Sequence, residues 1–449
     1  MLSLTDNFFS RAILGLGMTL SSLVPVVAQP PSSSKGGSSP APQTTVVLRL
    51  ADLEQMALQS NPTLTQAAAR IEAAQGMALQ AGLYPNPTVG YEGEDIGRGR
   101  EGERQGVFIE QEIVTAGKLR LSRAKYQQQV VQAEIQAQAQ QYRVLNGVRQ
   151  RFWDAVTDQQ LVETRKELLK IAEDGLQTTK ELVNTGQANR TDLLEAEVEV
   201  QQARAELRAA QRRLQGSWAQ LTAVVGRPDL PFGSLTGDLE SSQPPADWNQ
   251  TLCDLLQASP ELQFAQAEIV RDQIGLQREL AEPIPNVHLR LYTSYDFEGR
   301  TTAVDASVGV RLPLFDRNQG TIRQAQSELS RAHAEVTRVE LSLRRRFADA
   351  SARYLAAWET TQDYRTQILP KTKEAQELLQ QSFRRGRSAW PQVLVAARNY
   401  AQYRIAYLEA LRSLRRAEVE IRGLLLVDGL TEPPGPTPQG HLDAVPKPR

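Results

Sequence analysis

One cysteine, Cys253, is all that 449 residues contain. That excludes an intrachain disulfide framework and any metal site built from several thiolates. Histidine is nearly as scarce: His288, His333 and His441 stand alone, so no imidazole cluster offers a metal centre. Aromatics are only 6% of the residues, which suits long helices packed side by side better than a bulky globular core. The formal net charge of −1 gives no reason to expect a nucleic-acid partner or an acidic ligand. After the first 28 residues there is no run of about 18 apolar residues, so no later helix is expected to cross a bilayer.

What is present begins with an export signal. Arg11 precedes an apolar stretch from Ala12 to Val27, and Val26-Val27-Ala28 supplies small residues for cleavage. The stretch is short and holds Pro25, which disfavours a membrane anchor. No cysteine follows Ala28, so a lipid-modified N-terminal cysteine is not expected. A signal peptide over 1–28 and a Pro/Ser/Gly linker over 29–47 are therefore expected, with a Pro-rich disordered tail over 431–449. An exported chain without a transmembrane helix is either soluble or a β-barrel.

The body of the chain is written twice. Small or apolar residues recur at Leu193, Ala196, Val200, Ala203, Leu207, Ala210, Leu214, Ser217, Leu221 and Val224, the three-and-four spacing of a heptad seam. Two hundred residues on, Val393, Ala396, Tyr400, Tyr403, Tyr407, Ala410, Leu414, Ala417, Ile421 and Leu424 repeat it, and Gly386 repeats Gly186. This is a tandem duplication. The repeats span 48–226 and 250–430, joined by a linker or equatorial segment over 227–249 that carries prolines and short apolar patches.

Within each repeat the pattern changes period. Short helices broken at Asn61-Pro62 and at Ser259-Pro260 lead to proline stops, Tyr84-Pro85-Asn86-Pro87 and Pro283-Ile284-Pro285-Asn286. Strict alternation follows in the second repeat. Val287, Leu289, Leu291, Thr293, Tyr295 and Phe297 line one face, against His288, Arg290, Tyr292, Ser294 and Asp296. After a turn at Glu298-Gly299-Arg300, Val304, Ala306, Val308, Val310 and Leu312 oppose Asp305, Ser307, Gly309 and Arg311. Ten or so alternating residues is the length of a tilted strand that spans a bilayer. The first repeat holds a weaker copy: Val89 and Tyr91, a charged glycine-rich loop from Gly97 to Gly106, then Val107, Ile109 and Ile113 opposite Phe108, Glu110 and Glu112. Hairpins are expected over 87–113 and 286–313. A half-buried soluble hairpin is the alternative, but little else in the chain looks like a core for it to cover.

No proline occurs between Gly117 and Pro228. A helix over 118–184 is expected, about 100 Å long at 1.5 Å per residue, and its counterpart over 320–384 should kink at Pro370. Returning helices are expected over 190–225 and 391–426. The Glu-, Arg- and Gln-rich faces of all these helices are expected to be solvated surface.

The strand count then dictates assembly. Four strands cannot close a barrel, and an open edge in lipid strands its backbone groups at several kcal/mol each. Eight strands enclose only side chains, whereas twelve hold water. The polar set His288, Arg290, Ser294, Asp305 and Arg311 asks for a wet lumen, hence three or more copies. Val287, Leu289, Leu291, Tyr295, Phe297, Val308 and Val310 would face lipid.

At these residues the chain resembles the TolC-type outer-membrane efflux proteins, over about Leu48 to Leu430. The likeness rests on Asn61-Pro62-Thr63-Leu64, on the Tyr84-Pro85-Asn86-Pro87 lead, on Gln111-Glu112-Ile113-Val114-Thr115-Ala116-Gly117-Lys118, and above all on the turn Asn184 to Leu194. The first and third look most like the heavy-metal branch of the Czc/Cus kind. The resemblance implies a mainly helical TolC-like fold, a homotrimer with a pooled twelve-stranded barrel in outer-membrane lipid, and a helical tube in the periplasm of a Gram-negative-type cell. It also implies docking on a periplasmic adaptor and an inner-membrane pump of the RND type or an ABC exporter. The expected function is a passive duct for small molecules or metal ions. The alternatives are the duct of a type I protein-secretion system and an exported coiled-coil scaffold without a pore.

No enzyme and no cofactor is expected. Ala116-Gly117-Lys118-Leu119 ends like a phosphate loop, but Glu112 stands where the first glycine should be and the final Ser/Thr is missing. Interest falls instead on the two turns farthest from the strands, as gate and adaptor-docking positions: Gly186 and Asp192, then Arg384, Arg385, Gly386 and Arg387. Under the resemblance, three copies of Asp192 would ring a constriction and draw cations. The bland reading is a helix-start aspartate. Gln392 and Val395 stand where the family commonly has acids, and Arg384, Arg385 and Arg387 make the second turn basic. Arg–Asp pairs between copies, or an acidic adaptor, are two uses for those arginines.

Overall fold

The computed structural model describes residues 47–94, 104–385 and 387–431. The expected signal peptide, most of the first linker, most of the Gly97–Gly106 loop, Gly386, His441 and the tail beyond Thr431 lie outside the described residues.

Helix β-starts and stops follow local chemistry. A short strand β1 (Val47–Arg49) leads into α1 (Leu50–Ser60) and α2 (Pro62–Gln80). Asn61 separates the two helices: its side chain accepts the Thr63 N–H at 2.9 Å, and Pro62 sits where a missing N–H costs nothing. Strands β2 (Thr88–Glu94) and β3 (Arg104–Ile113) follow, then α3 (Lys118–Asn184), 67 residues opened by Gly117 at φ 66°. Gly186, at φ 74°, closes it, and the Gln187 N–H reaches back to the Leu182 carbonyl at 2.8 Å. The same bond joins Arg387 to Ser382 at 2.9 Å, so the duplication extends to the turn geometry.

The returning helix α4 (Arg190–Val225) ends at Gly226, φ 80°, where a side chain would collide with the Ser60 carbonyl. Residues 227–249 are not a plain linker. They carry β4 (Ser234–Thr236), which pairs in parallel with β1. Then come α5 (Trp248–Ala258), α6 (Pro260–Ala281), β5 (Val287–Asp296), β6 (Thr301–Val310) and α7 (Gln319–Asp363). A five-residue π-turn, Tyr364–Ile368, joins α7 to α8 (Leu369–Arg384), and α9 (Trp390–Arg422) returns. The expected break at Pro370 thus falls just before the proline: it has no N–H to donate to the carbonyl a turn behind, its ring crowds that carbonyl, and the preceding turn widens to absorb the misfit.

β3 begins at Arg104, so Gly106 lies in the strand and not in a loop; a side chain there would meet the Thr293 carbonyl at 2.1 Å. The four long strands form one antiparallel sheet in the order β2-β3-β5-β6. The helices beneath lie in the matching order α2, α3, α6, α7. Each strand thus continues into the helix below it, and both layers end in free edges.

The main core sits midway, where α1, α5 and the β1–β4 pair wrap α3, α7 and α9: Leu53, Val148, Phe152, Leu221, Leu343 and Leu414 are enclosed there. The α4 seam is buried at Ala196, Val200, Ala203, Ala210, Leu221 and Val224. On α9 it shifts. Ala397 and Ala401 pack against Leu168 of α3, in place of Ala396 and Tyr400, and Tyr403 turns outward. A phenol ring does not fit where two helices approach this closely, and the neighbouring alanines do.

The expectation of solvated polar faces fails at several points. Asp154, Asp158, Glu268, Arg271, Arg412, Arg415, Gln132 and Gln140 are buried. Most of the charged ones are paired: Arg416 of α9 grips both oxygens of Asp154 of α3 at 2.8 Å, and within α6 Arg271 lies between Glu268 and Asp272.

Candidate functional site

The sheet is inside out by the standards of a soluble protein. The pairing Val89↔Ile109↔Leu291↔Ala306 fixes one face, which also carries Tyr91, Val107, Val287, Leu289, Tyr295, Val304, Val308 and Val310. That face is bare: Val89 and Val308 are each 72% exposed. Phe297 lies in the turn after β5 and is exposed too.

The opposite face is polar, and its side chains pair with one another across the strands. It carries His288, Arg290, Ser294 and Asp305, with Ser294 only 2% exposed. Arg104 donates to Asp305 at 2.7 Å and to Ser294 at 3.1 Å. Arg290 reaches over the Phe108 ring, 4.3 Å from its centroid, to pair with Glu92 two strands away. The Tyr292 hydroxyl donates to the Glu92 carbonyl at 3.3 Å. Contacts that skip a strand require the sheet to curl toward its polar side. His288 Nδ1 lies 3.8 Å from Glu110. Arg311 falls one residue beyond β6 and is exposed. The partners Glu92, Arg104 and Phe108 come from the first hairpin; alternation places Phe108 on this face, while the hairpin's glycines blur the pattern that would have pointed to Glu92 and Arg104.

Below the sheet the two repeats are knotted together. Lys118 Nζ donates to the Ile284 carbonyl at 2.6 Å and to Asn286 at 2.9 Å. Asn286 in turn donates to Glu112 at 2.6 Å, and Thr115 donates to the Pro285 carbonyl at 2.7 Å. The lysine of the would-be phosphate loop is thus engaged in holding the sheet on the helices. Its burial, above all, lowers the ammonium's affinity for its proton.

At the far end, Asp192 and Asn189 form a capping box: each backbone N–H meets the other's side chain, at 3.0 and 2.9 Å. Arg384 ends α8, while Arg385 and Arg387 are exposed in the turn. Trp390 packs its indole on Gly175 of α3, where a methyl group would lie 2.1 Å from the ring, and on Phe383 of α8 at 5.2 Å. Ion pairs bind α9 to the first repeat: Arg398 to Glu199, Arg404 to Glu167 at 2.8 Å, and Arg412 to Asp158. Among the described residues, no group of three or more His, Cys, Asp or Glu side chains is placed to hold a metal ion.

The family described as "Outer membrane efflux protein" matches residues 53–227 and again 251–425, one match per repeat. The chain belongs to that family. As an outer membrane efflux protein it resides in the outer membrane, with its helical part in the periplasm. Channels of the family work as trimers with adaptors and inner-membrane pumps. The cobalt-zinc-cadmium resistance protein CzcC of Cupriavidus metallidurans is 26% identical over 419 residues, 92% of this chain and 99% of CzcC. The nickel-cobalt-cadmium resistance protein NccC of Alcaligenes xylosoxydans is 27% identical over 299 residues, 64% of this chain and 66% of NccC. The fold matches that of a membrane protein from Pseudomonas aeruginosa with a TM-score of 0.71 at 20% identity, covering 84% of this chain and 92% of the other.

Proposed function

We propose that three copies of this efflux protein form one passive duct, and that its cargo is divalent metal ions delivered by a periplasmic adaptor and a proton-driven inner-membrane pump. The observation that carries the reading is the sheet with a bare apolar face, a self-paired polar face and two unpaired edges. In a bilayer the edges of β2 and β6 must find partners. β2 and β6 run antiparallel to each other, so head-to-tail closure of β6 onto the next copy's β2 keeps the alternation all round the ring. Three copies give twelve strands, enough for a wet lumen bounded by His288, Arg290, Ser294 and Asp305. The metal assignment rests on the likeness to CzcC and NccC.

The test joins two measurements. The mature chain should run as a heat-modifiable trimer extracted only by detergent, and should open steady conductance steps in planar bilayers. Deleting its gene should sensitise the host to cobalt, zinc and cadmium. A mature chain that is monomeric in plain buffer would overturn the duct. A conducting trimer whose loss leaves metal tolerance unchanged would overturn the cargo alone.

A further inference from the structure

Past the foot of each edge strand lies a small apolar patch with nothing on it. On the β6 side, Leu312, Leu314 and Phe315 are exposed, Phe315 to 91%. On the β2 side, Leu79, Leu83 and Tyr84 are exposed, Tyr84 to 65%. These two patches share one height. Gly82 sits against the Arg123 side chain of α3. One residue away, Ser122 accepts a hydrogen bond from Arg278 of α6 at 3.1 Å. Next to Arg278, Glu279 accepts from Asn318, three residues after Phe315, at 2.9 Å through its carbonyl. A level line therefore runs from Leu83 across α3 and α6 to the Phe315 loop, from one free edge of the helical layer to the other.

We infer that Leu312, Leu314 and Phe315 of one copy close on Leu79, Leu83 and Tyr84 of the next, forming an apolar collar at the foot of the barrel. Rotation about a ring axis moves a copy round without moving it along, so patches at one height on opposite edges meet. This rests on the trimer reading and extends the strand seam downward into the helices. Lipid is the weaker occupant. The Phe315 loop lies beyond the last lipid-side strand residue, Val310, carries Asp316 and Arg317, and is tied to the α6 helix through Asn318. Strand pairing ends at Val310, and around Pro313 the chain turns aside, with the Leu314 N–H returning to the Leu312 carbonyl at 3.0 Å.

The experiment uses the full chain in outer membranes, with the exposed Cys253 replaced by serine. Leu83→Cys and Phe315→Cys are placed in one chain and treated with a short bismaleimide. The expected result is a shift of the denatured monomer band to covalent dimer and trimer, absent from either single variant. Both thiols reacting while the band stays monomeric, in a sample that native gels show as trimer, would overturn the collar and leave the trimer standing. Absence of a trimer on native gels would overturn both. In a parallel measurement, Phe315→Trp should resist quenching by brominated lipids; strong quenching would assign the patch to the membrane and overturn the collar. Phe315→Ser should lower the temperature at which the trimer dissociates while helical circular dichroism is unchanged.

Discussion

Arg412 answers three carboxylates from α9: Asp158, Glu409 at 3.0 Å and, more loosely, Asp154 at 3.8 Å. Asp158 also receives the Ser217 hydroxyl, and Arg213 at 2.9 Å. Its side chain is 2% exposed, so Arg412→Met would leave a buried acid with Arg213 alone in ion-pair contact. The expected cost is about 1.5–3 kcal/mol, the range for a lost hydrogen bond to a charged group, read as an earlier midpoint in thermal or urea unfolding. Burial foremost raises the Asp158 carboxyl above the usual aspartate range, with Asp154 adding to it and Ser217 and Arg213 pulling the other way. A value raised on folding means the folded chain binds that proton more tightly. This contribution is full below the unfolded aspartate value and fades as pH rises through the folded one. The native chain should therefore gain heat resistance between about pH 7 and about pH 4 relative to Asp158→Asn, which has no proton to take up. An equal pH response from both proteins would contradict the assignment.

At the scale of elements, β3 and β5 approach so closely at Gly106 that Gly106→Ala should block their pairing. The expected outcome is loss of the heat-modifiable band in isolated membranes, although the helices need no change of sequence. Gly106 also shows why the first hairpin was hard to read: a strand glycine looks like a loop, yet here it is the only residue small enough for the register. The second hairpin was legible because Val287 to Tyr295 alternate without interruption. Long α3 was legible too, since Gly117 and Gly186 bracket an unbroken proline-free run. The π-turn before Pro370 and the three-residue β1–β4 pair were not, because neither leaves a periodic trace. Nor were the buried charges. Asp158 and Arg412 lie on different helices, and no spacing within one helix reveals a partner on another. Of the site, the faces of β5 and β6 and the side of Phe108 were readable residue by residue, whereas Glu92 and Arg104 became visible only once the sheet order was known.

Across the whole molecule, sheet order and helix order coincide, so the wall of the barrel and the wall of the tube are one surface with common edges. At the tip, α9 is pinned to the first repeat by Arg398, Arg404 and Trp390, while the exposed Arg385 and Arg387 find no acidic partner among the ion pairs of the described residues. We propose that, in a closed ring, those arginines pair with Asp192 of neighbouring copies and latch the narrow end. Arg385→Ala with Arg387→Ala should raise the conductance of the isolated trimer in planar bilayers; unchanged conductance would remove that latch.

The edges of β2 and β6 carry one more consequence. Since neither margin is satisfied within a single copy, each subunit's fitness for lipid is decided by its neighbours, and a hoop is no sounder than its poorest member. A faulty allele expressed beside a healthy one would spoil far more hoops than its own share of the dosage.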